Sequence, residues 1–346
     1  MWKRSRIPII SVQDDIKQAV LIYTHSDQLG DALLKLPAIA ALRNAFPDRH
    51  ITWFAGSGPS IFARQLAPLI DGMVDEVRDD LRMGRHWREL LHRPLGGRYY
   101  DTVIDTQNIV RCTLILRRIP HRLFISSAAG FRFSDKRPGR GEKYAGSLAR
   151  RLITLIQLAS GRKITPAPRL NLPQSCREAA ARLLPAGPVY IGLVPGAGDR
   201  RKCWPLERYI ELAGRQVRKR RVPVFFIGPD ELQWLAAIRA AVPGAVFPEQ
   251  DPSVSQIRGP LLSIALAERI TLGIANDSGG GHLLAAGGRP LVSLFGHTGP
   301  EKFIDRPAQR IIIQARDYGG KEMSLIPVND VADKVDQQVL STNRNA

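Results

Sequence analysis

The sequence predicts an α/β protein built from two doubly wound halves. Short apolar runs bounded by turn residues alternate with helix-period segments, and this alternation occurs in both halves of the chain. A proline-rich stretch without sustained periodicity separates the halves, and 346 residues are too many for one ordinary core. The predicted domains are residues 1–170 and 189–346, joined by a linker at 171–188.

The elements of the amino-terminal half follow from its apolar runs and from helix periodicity. The predicted elements are a strand at 19–24, a helix at 31–46, a strand at 51–55, a strand at 102–105 that leads into a helix near Ile109, and a long basic helix at 142–159. A short helical piece is predicted at 177–184, inside the linker.

The carboxyl-terminal half restarts with a strand and repeats the same alternation. The predicted strands are 189–194, 222–227, 270–275, 289–295 and a segment near 311–313, and the predicted helices are 205–221, 282–286 and a last one from about Asn329. Pro205 suits the first turn of its helix. The last helix is a candidate for packing back on the amino-terminal domain.

Composition disfavours several classes of protein. No apolar run approaches the roughly 20 residues that span a bilayer, and the amino terminus lacks a signal-peptide core, so we expect a cytoplasmic protein. The three cysteines, Cys112, Cys176 and Cys203, are scattered without metal-ligand spacing. They predict structural thiols, with neither a disulfide framework nor a zinc site.

The chain is strongly basic, and the excess is uneven. It has 50 Lys and Arg against 32 Asp and Glu, for a net charge of +18, and residues 78–163 hold 19 basic and 7 acidic residues. Nucleic acid, an anionic membrane face or a phosphorylated glycolipid would be attracted by such a surface, and a solvated basic surface is the alternative. Only 7% of residues are aromatic and no RNA-recognition or zinc-finger signature occurs, which disfavours nucleic acid.

Three loops of the second half follow successive strands and should meet at one edge of its sheet, where α/β proteins bind ligands. The loops are Pro195–Gly198 with Lys202 downstream, Gly228–Glu231, and Asn276–His282. A glycine turn with cations suits a diphosphate, and a carboxylate in the second loop suits ribose hydroxyls. Helix capping by Asp230 is an equal alternative. Because GxGxxG and GxxxxGK[ST] are both absent, dehydrogenase and P-loop functions are disfavoured.

The third loop joins a buried strand to an alanine-rich helix. Three consecutive glycines allow close backbone approach to an anion, and the helix amino terminus supplies partial positive charge. Asp277 can orient sugar hydroxyls, and Ser278, Gly279 and His282 would lie near phosphates. The alternatives are an Asp or Ser helix cap and an ordinary histidine at a helix start.

Asp31 follows the first strand at the start of a helix. There it would lie beside the partial positive charge of the helix amino terminus, and a correctly positioned carboxylate suffices as a base when proton transfer is late, as in sugar transfer. The alternative is helix capping.

These segments together resemble glycosyltransferase family 9, the ADP-heptose:lipopolysaccharide heptosyltransferases. The matching segments are 30–37 (GDALLKLP), 103–108 (VIDTQN) with Arg111, 195–198 (PGAG) with Lys202, 228–231 (GPDE), 276–279 (NDSG) with His282, and 294–296 (LFG) with Thr298. The resemblance implies a GT-B fold of two facing Rossmann-like domains with a cleft between them. It also implies a nucleotide-sugar donor in the carboxyl-terminal domain, an anionic glycolipid acceptor in the amino-terminal domain, and action at the inner face of the cytoplasmic membrane.

The resemblance also implies residue roles in an inverting transfer without a metal or other cofactor. Asp31 would be the general base. The implied donor-binding residues are Gly196, Lys202, Glu231, Asp277, Ser278, Gly279 and His282, and the implied acceptor-binding residues are Lys35, Gln107 and Arg111.

The chain departs from the family pattern at three places. Gly279–Gly281 stand where Gly-Pro-Met is common, and Lys35 stands where a small hydroxyl residue is common. Ala197 and Gly198 stand where some members place hydroxyl residues in the first phosphate loop. Lys35 lies one helical turn beyond Asp31 and could pair with it or meet an anionic acceptor. The alternatives are a related enzyme that uses another nucleotide sugar or a protein acceptor, and a non-enzymatic basic scaffold.

Overall fold

The computed structural model describes residues 18–79, 82–139, 141–142, 144, 146–164, 170–300 and 310–344. These residues form two five-stranded sheets, each wholly parallel and flanked by helices. The prediction of two doubly wound α/β halves is therefore confirmed.

The amino-terminal half is built on the first sheet. Its strands are β1 (Ala19–Thr24), β2 (His50–Ala55), β3 (Glu76–Arg78), β4 (Tyr100–Asp105) and β5 (His121–Ser126), and its helices are α1 (Leu29–Ala45), α2 (Val110–Leu116), the single turn α3 (Ala128–Phe131) and α4 (Leu148–Ser160). The strand order is β3-β2-β1-β4-β5, so the winding reverses between β1 and β4. All six residues of β1 are buried, as expected for a strand covered on both faces.

The carboxyl-terminal half repeats this plan. Its strands are β6 (Tyr190–Val194), β7 (Val222–Phe225), β8 (Leu272–Asn276), β9 (Leu291–Phe295) and β10 (Arg310–Gln314), and the helices from the linker onward are α5 (Gln174–Leu183), α6 (Leu206–Arg218), α7 (Leu235–Ala241), α8 (Pro260–Ala267), α9 (Gly279–Ala286) and α10 (Val328–Arg344). The order β10-β9-β8-β6-β7 places the reversal between β6 and β8.

Four helices begin two or more residues away from the predicted start, and one of them is α5, which begins at Gln174 rather than at residue 177. Helix α1 begins at Leu29, so Asp31 lies in its first turn and does not cap it. Helix α9 begins at Gly279 rather than at residue 282. Helix α4 begins only after Gly146, whose φ of +103° is not helical, and Ser147 caps it by accepting from Arg150 N–H. Residues 143 and 145 of the predicted helix lie outside the described residues.

The two halves are packed together by the helix of the linker and by helices of both halves, since α1 also packs against α9. Helix α5 packs against α8, and Arg177 of α5 forms an ion pair with Glu268 at 3.2 Å. One core cluster runs from α1 and α4 to α8 and α9 without interruption. Helix α5 occupies most of the predicted linker at 171–188. The limits of the two domains remain a prediction.

Helix α10 packs on the carboxyl-terminal half, where Val331, Val335 and Val339 enter its core. Asp336 ties the helix to the end of α6 and the start of β7 through ion pairs with Lys219 and Arg221. The buried side chains described for this helix therefore favour its own sheet over the amino-terminal domain. Within the described residues, no helix is long and apolar enough to cross a membrane.

Candidate active site

A cleft of about 420 Å³ opens at the carboxyl ends of β1 and β4, where the winding of the first sheet reverses. Its lining includes Thr24, His25, Ser26, Asp31, Leu34, Lys35, Thr106, Gln107, Asn108, Ser127, Tyr144, Leu148, Arg151, Leu152 and Leu155. Ligands of doubly wound folds bind at such a reversal. Two of the predicted acceptor residues and the predicted base therefore share one cleft.

Asp105 holds the loop that carries Gln107. Its carboxylate is fully buried and accepts hydrogen bonds from Thr113 Oγ1 (2.6 Å), Ser126 Oγ (2.9 Å) and the Gln107 backbone N–H (2.9 Å). Burial raises the pKa of Asp105 to about 6, against the lowering effect of these three donors. The Gln107 side chain in turn donates to Thr106 Oγ1 at 3.0 Å, so the wall of the cleft is fixed by hydrogen bonds.

Lys35 lines the cleft, but its ammonium group is engaged inside the protein. It donates to Asp27 Oδ1 at 2.6 Å and to Thr24 Oγ1 at 2.8 Å, and both residues of the ion pair are buried. The second oxygen of Asp27 accepts from Trp53 Nε1 at 2.8 Å and from Ser60 Oγ at 2.6 Å. Lys35 thus pairs with Asp27 rather than with Asp31, and it joins the loop after β1 to α1. Its role toward an acceptor remains a prediction.

Asp31 is exposed in the first turn of α1 and faces the cleft. The neighbouring Gly30 contacts the other half of the protein, because a Cβ atom built on it would lie 3.1 Å from His282 Cδ2 and 3.9 Å from Gly279 Cα. The amino-terminal ends of α1 and α9 therefore meet, and Asp31 lies at that junction.

The loop after β8 carries an ion pair at the reversal of the second sheet. Lys202 Nζ lies 2.8 Å from Asp277 Oδ2, and Thr298 Oγ1 donates to the same oxygen at 2.8 Å. Asp277 is buried and Lys202 is partly exposed. Lys202, the predicted diphosphate contact, and Asp277, the predicted sugar contact, are therefore neighbours. Thr298 lies beside them, although the sequence analysis named it only with the LFG segment and gave it no role.

Asn276 ties the first and third loops together. Its Oδ1 accepts from Trp204 N–H at 3.0 Å and from Tyr209 Oη at 3.1 Å, and its Nδ2 donates to the carbonyl oxygen of Pro195 at 2.8 Å. Because all of these groups are buried, this asparagine fixes the spacing between the ends of β6 and β8. It acts by positioning, and the sequence marked it only as the first residue of the NDSG segment, without indicating this role.

The second loop joins the first through Glu231. A Cβ atom on Gly196 would lie 2.3 Å from Glu231 Cδ, and one on Gly228 would lie 2.7 Å from Glu231 Oε2, so both glycines leave space for this side chain. Burial is the main cause that raises the pKa of Glu231, and the negative charge of Asp230 is the second. Asp230 lies inside a 3-10 turn that begins at Pro229, so it is not the helix cap. The convergence of the three loops is therefore observed.

The glycines after Ser278 form the first turn of α9. Ser278 caps the helix by accepting from Gly281 N–H at 3.3 Å. A Cβ atom on Gly280 would lie 2.6 Å from Val194 Cγ1, and one on Gly281 would lie 2.7 Å from the Asn276 carbonyl oxygen. Glycine is therefore needed at both positions for close packing against the strand ends.

His282 is buried behind this turn. Its pKa is lowered to about 4, chiefly by burial and also by the positive charges of Arg310 and Lys202, against the opposing effect of Asp277. At neutral pH the imidazole is uncharged, so it can meet a phosphate as a hydrogen-bond donor through one nitrogen but not as a cation.

Two arginines differ in their relation to the cleft. Arg111 lies in the first turn of α2 and is outside the described lining of the cleft, so its predicted acceptor role gains no support from position. Arg151 of α4 does line the cleft, and its Nε is buried without a hydrogen bond from the described residues. The predicted basic helix was the signal for this cation, but sequence alone could not show which arginine turns inward.

Among the described residues, no group of three His, Cys, Asp or Glu side chains is arranged to hold a metal ion. That transfer proceeds without a metal or other cofactor remains a prediction from the sequence.

Known proteins share this architecture over most of their length. Lipopolysaccharide heptosyltransferase 3 of Escherichia coli is 24% identical over 335 residues, which cover 87% of this chain and 93% of that protein. A family 9 glycosyl transferase from Veillonella parvula superposes with a TM-score of 0.71 at 20% identity, covering 95% of this chain and 99% of the other. Escherichia coli heptosyltransferase WaaC with ADP-2-deoxy-2-fluoro heptose gives 0.64 at 19% identity, covering 92% and 99%.

These structures confirm the GT-B fold prediction. The family model for glycosyltransferase family 9 (heptosyltransferase) matches residues 88–323, which is more than half of the chain. The chain therefore belongs to glycosyltransferase family 9 and is a glycosyltransferase.

Proposed function

We propose that this enzyme is an inverting, metal-independent heptosyltransferase that moves heptose from ADP-heptose to an anionic lipopolysaccharide inner-core acceptor. The observation that carries the proposal is the junction of α1 and α9. There the exposed carboxylate of Asp31 lies beside Gly30, which contacts His282, the histidine of the donor-side helix. A base at the mouth of one site next to an anion-binding helix of the other is the arrangement that direct transfer requires.

The donor's diphosphate would bind at the amino terminus of α9. The Ser278 cap leaves the N–H groups of the first turn pointing out of the helix end, and Lys202 supplies a cation nearby. Lys202 is paired with Asp277, so an incoming diphosphate would share or take over this cation. Asp277 would then be available to accept hydrogen bonds from heptose hydroxyls.

In the transfer step an acceptor hydroxyl oxygen attacks the anomeric carbon on the face opposite the diphosphate. The bond between that carbon and the phosphate oxygen breaks, and the electron pair leaves with ADP. Asp31 takes the proton of the attacking hydroxyl. The negative charge that grows on the leaving diphosphate is stabilised by the α9 amino terminus and by Lys202.

The acceptor would occupy the amino-terminal cleft, where Gln107 offers an amide and Arg151 a guanidinium group. Since Lys35 is committed to Asp27, Arg151 is the stronger candidate for an acceptor carboxylate or phosphate. A lipid-linked acceptor would bring the enzyme to the inner face of the cytoplasmic membrane, in agreement with the +18 net charge.

The test is transfer from ADP-heptose to lipid-linked core by the wild type, by Asp31→Asn and by Asp48→Asn, an exposed aspartate of the same domain. Loss of a positioned general base is expected to lower turnover by about 10²- to 10⁴-fold, whereas the Asp48 control keeps its rate. Binding of ADP-heptose should be unchanged in all three. Undiminished turnover of Asp31→Asn would remove this residue from its role. Turnover that survives a chelator supports metal independence.

A second candidate is the same transfer with another nucleotide sugar, favoured by the two glycines that replace the family's usual residues at 280 and 281. A thermal-shift screen of ADP-, GDP- and UDP-sugars separates the candidates, because a bound donor raises the unfolding temperature by mass action. A shift with ADP-heptose alone supports the leading proposal, and a shift only with another sugar replaces it.

A further inference from the structure

Two neighbouring elements of the amino-terminal half expose large apolar side chains. On the 3-10 turn Trp87–Leu91, Trp87 is 56% exposed and Leu91 is 80% exposed. At the start of α2, Ile109 and Val110 are 40% and 39% exposed. The turn packs directly against α2, so these side chains belong to one region, which we call the Trp87 surface (residues 82–93 with 109–110).

The Trp87 surface is held in shape by buried and hydrogen-bonded groups beneath it. The Glu89 carboxylate accepts hydrogen bonds from the backbone N–H groups of Gly84 (2.6 Å), Arg85 (2.9 Å) and His86 (2.6 Å). Leu90 packs on the core cluster that contains Cys112 of α2. Because Leu90 turns inward and the turn is fixed, Trp87 and Leu91 are presented to solvent and do not enter the core.

The apolar side chains of the Trp87 surface stand among positive charges. Residues 82–93 include four arginines, which are Arg82, Arg85, Arg88 and Arg93, and all four are exposed. Glu89 is the single acidic residue of that stretch, and its oxygens are occupied by backbone donors. The surface therefore combines a net positive charge with an interfacial aromatic residue.

We propose that the Trp87 surface docks the enzyme on an anionic lipid bilayer. Tryptophan and leucine insert at the headgroup level, while arginine stems lie along the apolar boundary with their guanidinium groups at anionic headgroups. Each arginine adds attraction to an anionic leaflet. A second copy of this chain is a poorer occupant, because self-association would bring the arginines against each other.

The location of this surface fits a lipid-linked acceptor. Ile109 directly follows Gln107 and Asn108, which line the acceptor cleft, so docking through the Trp87 surface would hold the cleft close to the headgroups. The purpose of docking rests on the proposed function. The binding itself does not, and it can be measured without any sugar transfer.

The experiment is co-sedimentation of the full chain with vesicles of phosphatidylglycerol and phosphatidylcholine, and with vesicles of phosphatidylcholine alone. One variant combines Trp87→Ala with Leu91→Ala, and a second combines Arg88→Gln with Arg93→Gln. The matched control combines Leu340→Ala with Arg218→Gln, an exposed leucine and an exposed arginine of the other domain. We expect about tenfold weaker binding to anionic vesicles for each test variant, and unchanged binding for the control.

Tryptophan fluorescence with brominated lipids supplies a second readout that does not depend on affinity. The measurement uses a background with Trp2→Phe and Trp234→Phe, because Trp234 is partly exposed in the other domain, whereas Trp53 and Trp204 are fully buried. In that background, quenching by bromine near the headgroups is expected from Trp87 and should be lost when Trp87→Phe is added. The proposal is overturned if the wild type does not bind anionic vesicles, or if the control weakens binding as much as the test variants do. It is also overturned if quenching persists in Trp87→Phe, or if Trp87→Ala converts a dimer to a monomer while vesicle binding is unchanged.

A failure of the proposed function would look different. In that case the vesicle results would stand, and transfer from ADP-heptose would be absent in the wild type and in every variant. If both proposals hold, the test variants lose transfer to acceptor in vesicles but keep the wild-type rate with a water-soluble acceptor fragment.

Discussion

Protonation of His282 should destabilise the folded enzyme in a defined pH window. The pKa of this imidazole is lowered from 6.5 to about 4, chiefly by burial. Between these values the unfolded chain binds a proton that the folded chain does not, so stability falls as the pH is lowered through the window. Each unit of pKa difference corresponds to about 1.4 kcal/mol, so the full effect approaches about 3 kcal/mol, of which about 2.5 kcal/mol is reached near pH 4.5.

The wild-type profile alone would not show this effect, because Asp105 acts in the opposite direction. Burial raises the pKa of its carboxyl group from 3.8 to about 6, so the folded chain binds the extra proton and gains stability as the pH falls through nearly the same window. The useful quantity is therefore the difference in unfolding free energy between the wild type and His282→Gln, in which the contribution of Asp105 cancels.

Urea unfolding of both proteins at about pH 7, 5.5 and 4.5 measures that difference. Relative to the variant, the wild type should lose about 2.5 kcal/mol between the highest and the lowest pH, because only the wild type carries the buried imidazole. A constant difference across the three values would refute the lowered pKa of His282. A difference that changed with the opposite sign would mean that the imidazole is stabilised as a cation.

Three further expectations concern groups beneath the two sites. Gly281→Ala should destabilise the protein by about 1 to 3 kcal/mol in thermal unfolding, because its Cβ atom would lie 2.7 Å from a backbone oxygen of β8. Gly279→Ala is the control and should lower stability by less than about 0.5 kcal/mol, because its Cβ atom would lie 3.7 Å from a leucine methyl group. Lys202→Met should lower the unfolding free energy by about 1 to 3 kcal/mol, because it leaves the buried Asp277 carboxylate without its cation. Adding Asp277→Asn should recover part of this loss in a double-mutant cycle, and strictly additive losses of the two substitutions would contradict the prediction. Asp105→Asn should remove the gain in stability on acidification. In urea unfolding, the unfolding free energy of the wild type should therefore rise relative to that of the variant by up to about 3 kcal/mol from pH 7 to pH 4.

The sequence was sufficient to predict the parts of the fold that depend on continuous burial. Strands β1, β6 and β8 are buried along their whole length, and such apolar runs between turn residues are recognisable without a structure. Strands β3 and β5 were not predicted, because β3 has only three residues and β5 begins with the partly or fully exposed His121 and Arg122. Edge strands bury one face or less, so their sequence pattern is weak.

The candidate site was predictable where position in the fold decides it. Loops at the carboxyl ends of parallel strands converge by topology, and this brought Lys202 and Asp277 together although 75 residues separate them. Which partner a charged side chain chooses is not decided by topology. Helix periodicity placed Lys35 near Asp31, but Lys35 forms its ion pair with the buried carboxylate of Asp27, which Trp53 holds in place by a hydrogen bond.

The ion pair between Lys35 and Asp27 also helps to position Asp31 between the two sites. Lys35 lies one turn after Asp31 on α1, and its ion pair fastens this helix to the loop after β1. The same turn of α1 contacts α9 through Gly30. The orientation of the proposed base is therefore set from two sides, by a buried ion pair in the acceptor domain and by the packing of the donor helix.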